Sequence, residues 1–121
     1  MAVIAPVITK VGKQDGSTLL VTWTPVTEAD SCGAISLPEY SDKSVQVAGT
    51  FGGTSIAVQG SNDGTNFASL NDPTQTVIAI TAAKVQAVLE NTVVIQPVRT
   101  GGSSTSVTIS ILFHLTNPLR T

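Results

Sequence analysis

The stretch SVTISILFHL, residues 106–115, places Val107, Ile109, Ile111, Phe113 and Leu115 at every second position. Successive side chains of a strand point to opposite faces, so this spacing builds one apolar face; on a helix the same residues would be scattered around the circumference. Most are β-branched or aromatic, the types that pack well on a pleated surface. The same period recurs along the chain. TLLVTWT (18–24) sets Leu19, Val21 and Trp23 against Thr22 and Thr24. KSVQVAGTF (43–51) carries Val45 and Val47, then Phe51; SIAVQGS (55–61) carries Ile56 and Val58; TQTVIAIT (74–81) carries Ile78 and Ile80. Half-buried strands of this kind belong to antiparallel sheets with one face on a core.

Turn signals separate these runs: Gly52-Gly53, Asn62-Asp63-Gly64, Asn71-Asp72-Pro73 and Gly101-Gly102-Ser103-Ser104. Short strands punctuated in this way predict an all-β fold, a sandwich or a barrel. One segment breaks the pattern. TAAKVQAVLEN (81–91) has Val85, Val88 and Leu89 at helical spacing, Thr81 as an N-cap and Asn91 as a stop, which predicts one short helix across an end of the sandwich. NTVVIQPVR (91–99) follows as a strand, and Pro97, which has no N–H for a ladder, predicts an edge or a bulge. The connection 27–42 has few periodic signals. Residues 1–16 are a first strand or an extended N-terminal arm that packs on a neighbouring subunit, residues 17–116 the β-domain, and 117–121 a C-terminal tail. No internal repeat or low-complexity tract is present.

At 121 residues the chain has the length of one domain, and only 12% of it is charged, about half the usual fraction. Hydroxyls, amides and glycines therefore cover much of the surface, which suits strands and packed assemblies. The net charge is −2, and Lys10, Lys13, Lys43, Lys84, Arg99 and Arg120 are scattered, so no basic stripe exists to track phosphates and nucleic acid is not expected as a partner. The start MAVIAPVITK has no basic lead and only a short apolar run broken by Pro6, neither an export signal nor a membrane span. Cys32 is the single cysteine, so no internal disulfide or cysteine-based metal cage can form, in keeping with a reducing cytoplasm.

Candidate chemistry is sparse. His114 shares its phase with Thr108, Ser110 and Leu112, away from the core, and no second histidine exists to share a metal. Cys32 lies beside Gly33 with no basic neighbour close in sequence to lower its pKa. In GSNDGTNFASL (60–70), Asn62, Asp63 and Asn66, with Asp72 beyond, could offer oxygens to calcium, but the repeated carboxylates and terminal glutamate of a calcium loop are missing. A turn needs less: Gly64 accepts positive φ, Asn62 and Asp63 bond nearby amides, and Phe67 folds back onto the core beside Leu70. Sugar binding would want exposed aromatic faces, yet alternation assigns Trp23 and Phe113 to the core, with Phe51 and Phe67 following, which leaves Tyr40 alone on a loop. Paired carboxylates, a nucleophile elbow and any cofactor-binding pattern are absent, so no enzyme is expected.

VQVAGTFGGTSIAVQGSNDGTNFASLNDP, followed by the segment 81–91, then VVIQPVRTGG and a Ser/Thr-rich strand, resembles small structural proteins of tailed bacteriophages. Among them it is most similar to the capsid decoration, or cement, proteins. The likeness covers roughly Val45 to Leu115. Phe67 stands where that pattern often carries Trp, and Val94 and Ile95 stand where an aromatic often precedes the proline strand. The resemblance implies a jelly-roll-like antiparallel β-sandwich that associates as a homotrimer on the virion exterior. It implies binding to the major capsid protein, stabilising the expanded shell without catalysis, cofactor, nucleic acid or membrane, after synthesis in the host cytoplasm. The apolar arm (Val3, Ile4, Val7 and Ile8), Tyr40 and the Pro97 strand are the surfaces expected to meet partners, the strand by β-addition. The rival reading from another class is a tail- or fibre-associated jelly-roll module binding host polysaccharide, which calls for exposed aromatics and calcium near Asp63 and Asp72.

Overall fold

A computed structural model describes residues 3–11, 16–27 and 29–115. Its elements are all strands: β1 (Val3–Ile4), β2 (Val7–Lys10), β3 (Thr18–Thr27), β4 (Ser31–Cys32), β5 (Ile35–Ser36), β6 (Asp42–Thr50), β7 (Ser55–Ser61), β8 (Ala68–Ser69), β9 (Lys84–Val88), β10 (Val94–Thr100) and β11 (Ser106–His114). One sheet has the order β2-β3-β11-β6-β9 and the other β5-β10-β7-β8, while β1 and β4 form a short parallel pair. Both larger sheets are antiparallel, and they pack face to face over a shared core. The pairings are nested: β3 with β11, β5 with β10, β6 with β9, β7 with β8. Such nesting, one long hairpin folded across two sheets, is compatible with the jelly-roll expectation.

The core follows the period of two. Val21, Trp23, Val45, Val47, Ile109, Ile111 and Phe113 from one sheet meet Ile56, Val58 and Ile95 from the other, with Ile78 and Ile80 between strands, all at most 2% exposed. Each such side chain contributes about 1.5–3 kcal/mol by leaving water. Val26 is also buried, although it lies three positions after Trp23. The ladder explains this. Val107 faces Val26 and Ile109 faces Trp23, so β3 carries one extra residue at Thr24–Pro25, a bulge that restores the inward phase. Buried threonines tie down the glycine turns: Thr54 Oγ1 donates to the Thr100 carbonyl at 3.1 Å, and Thr105 Oγ1 donates to that of Phe51 at 2.8 Å. Gly52 (φ 59°) cannot be replaced there, because a Cβ would lie 1.8 Å from the Ser103 carbonyl oxygen.

Several expectations are corrected. The predicted helix over 81–91 is strand β9, which covers the edge of β6 from Val47↔Lys84 to Lys43↔Val88. Its valines fit a helix by spacing, but β6 has unpaired backbone groups, and pairing them outweighs a weak local preference. Leu115 does not join the core face; it lies past the end of β11 and is 40% exposed. Phe67 is half-buried beside its turn and lies outside the core, whereas Phe51 packs against it. The arm pairs within the chain, β1 on β4 and β2 on β3. The turn expected at Lys13-Gln14-Asp15-Gly16 falls largely, and the tail 117–121 wholly, outside the described residues.

Candidate interaction faces

The residues with chemistry to offer are absorbed by structure. The Asp63 carboxylate accepts Thr65 N–H and Asn66 N–H at 2.8 Å, Ser61 Oγ at 2.7 Å and Asn66 Nδ2 at 2.8 Å. These donors, the Asn66 amide foremost, hold its pKa well below the usual carboxylate range. Asn62 Oδ1 accepts the Val93 amide at 3.3 Å and pins the approach to β10. Asp72 closes its own turn in the same way, through Thr74 Oγ1 at 2.6 Å, the Thr74 and Thr76 amides and Gln86 Nε2. The Thr74 hydroxyl, then the Thr76 amide, lower its pKa to about 2. The two carboxylates therefore serve separate turns, and no group of three or more His, Cys, Asp or Glu side chains converges among the described residues. Within GSNDGTNF the Asp63 carboxylate organises a turn.

Cys32 is buried in β4, where burial, then the Asp30 charge, push its thiol up to about 11. Beside it a cavity of about 210 Å³ separates β4 from β10, with Pro97 and Arg99 on its wall. Arg99 is tied down, donating through Nη1 to the Gly101 carbonyl at 2.6 Å and through Nε to that of Asp30 at 3.3 Å. His114 is exposed and meets Thr18 Oγ1 at 3.3 Å through Nδ1.

The partner residues expected from sequence divide. Val3, Val7 and Ile8 are 68%, 62% and 51% exposed, so they remain available. Ile4 packs against the core. Tyr40 is buried rather than free on a loop: its ring meets Phe113 edge-on at 6.4 Å and its hydroxyl donates to the Gly16 carbonyl at 2.5 Å. Pro97 is buried too, opposite Val58 of β7. On the other side of β10, β5 pairs only Val94 and Ile95, so Pro97 stands where the strand has one ladder partner, part of the edge character its ring requires.

What sequence reading missed is the distribution of charge over the faces. Directly paired residues share a side of a sheet. Two rows cross the outer face of the five-stranded sheet. Thr9, Leu20, Leu112, Ser44 and Ala87 form one; Val7, Thr22, Ser110, Gln46 and Val85 form the other. Neither carries a charge. Asp42, beside His114, is the only acidic residue among the described strand positions of this face, and it lies at one end. The four-stranded sheet behaves alike: its outer positions are Ser36, Val94, Ser61, Gln96, Gln59, Ser69, Val98, Ala57, Thr100 and Ser55. The described strand cations take core-side positions at edges and ends. Lys10 faces Leu19, Lys84 faces Val47, Lys43 faces Phe113 and Arg99 faces Ile56. Lys43, 7% exposed, donates from Nζ to Asn91 Oδ1 at 3.0 Å. Burial pushes its pKa down, while Asp42 and Glu90 act the other way. The signal was present in sequence, since the second phase of TLLVTWT and SVTISILFHL holds only Thr, Ser, Leu and His. Which strands join these phases into one face required the register. Set beside family models, curated proteins and solved structures, the chain matches none.

Proposed function

We propose that this chain is a structural virion protein that binds the outside of a phage capsid and, as a homotrimer, stabilises the expanded shell by bridging major capsid proteins. The observation that supports this reading is the pair of broad outer faces, on opposite sides of the sandwich, whose described strand positions carry no acidic or basic side chain apart from Asp42 and His114 at one end. A protein that stays free in water ordinarily intersperses charges over such faces. A piece set between neighbours does not need them, and two uncharged faces suit a bridge better than a module with one partner. The exposed Val7 and Ile8 add an apolar fringe at the β2 edge for a shell subunit, and Val3 is exposed on β1. Modest contact energy per copy then sums over many copies on one particle. The role involves no catalysis, cofactor, nucleic acid or membrane. Sugar stacking draws little support, because Trp23, Tyr40 and Phe113 are buried and Phe51 packs on the core.

The test is the copy number of this protein in purified native particles, measured by quantitative mass spectrometry against the major shell protein. A number comparable with the shell protein is the expected result. A handful per particle would move the protein to a tail or fibre, and its absence from particles would overturn the virion reading.

A further inference from the structure

We draw no further inference here: the strongest candidate, the cavity of about 210 Å³ between β4 and β10, rests on the lone thiol of Cys32, since the Arg99 guanidinium on its wall already donates to the Asp30 and Gly101 carbonyls and nothing else there points to a ligand.

Discussion

Gly60→Ala tests whether the sheet containing GSNDGTNF is packed as tightly as the structure holds. Gly60 is buried near the end of β7, and a Cβ built on it would lie 2.3 Å from Thr92 Oγ1, 2.9 Å from its Cγ2 and 3.0 Å from its Cβ. Ordinary contact begins near 3.4 Å, so Thr92 must retreat by roughly 1 Å, the kind of overpacking that costs ~1–3 kcal/mol. That retreat also breaks the bond from Thr92 Oγ1 to the Val94 carbonyl, now 2.8 Å, which adds ~0.5–1.5 kcal/mol. Rotating the threonine gives little relief, because its Cβ and both branches crowd the same space. The expected loss is therefore ~2–4 kcal/mol, or roughly 6–20 °C in melting temperature for a domain of this size. The assay is urea and thermal unfolding by circular dichroism for Gly60→Ala, Thr92→Gly and the double variant. Thr92→Gly removes all three clashing atoms, so Gly60→Ala should cost less than ~1 kcal/mol in that background, a coupling of at least ~1 kcal/mol. Additivity within ~0.5 kcal/mol would refute the argument and show that the crowding at Thr92 is not what keeps residue 60 a glycine.

Acid unfolding should report the two turn carboxylates. Asp72 titrates near 2 when folded and near 3.8 when unfolded, and Asp63 is lowered in the same direction. Their stabilisation is therefore present above pH 3.8 and lost as pH falls towards 2. Melting temperatures measured across that window should decline, and decline less steeply in Asp72→Asn; equal slopes would exclude Asp72 as a contributor. Calcium should leave the melting temperature of the wild type unchanged while Asp63→Ala lowers it; a calcium-dependent rise lost in Asp63→Ala would restore a metal site. Cys32, buried with its thiol pushed up to about 11, should resist a thiol reagent at pH 8 until denaturant is added, and rapid native labelling would contradict its burial. Lys43→Met should leave stability within ~1 kcal/mol of the wild type or raise it, since a desolvated ammonium is exchanged for an apolar stem of similar length. A loss above ~2 kcal/mol in urea unfolding would show that the bond to Asn91 outweighs burial.

Much of this fold is written locally. Where a regular strand lays one apolar face on the core the period of two appears in sequence, and Val107 to Phe113, Leu19 to Trp23 and Val45 to Val47 could be assigned to the core without coordinates. The turns were equally legible, because Gly52, Gly64 and Gly101 adopt positive φ that few other residues tolerate and Asp63 collects amides only two and three positions away. The signal failed where a distant partner decides. Lys84–Val88 reads as a helix alone and becomes a strand because β6, some forty residues earlier, has an open edge. Tyr40 looks solitary on its loop and is buried because Phe113 and Gly16 converge on it from elsewhere in the chain. Sequence by itself therefore determined the long core strands, the turns and the scarcity of charge, whereas 74–81, which alternates like a strand, makes only isolated bridges at Val77 and Ile80 although Ile78 and Ile80 are buried. Only the tertiary structure decided which strands lie side by side and how their second phases join into two faces nearly free of charge at the described strand positions. The physical reason is that alternation and turn chemistry depend on residues a few positions apart, whereas register is fixed by pairing and burial across the whole chain.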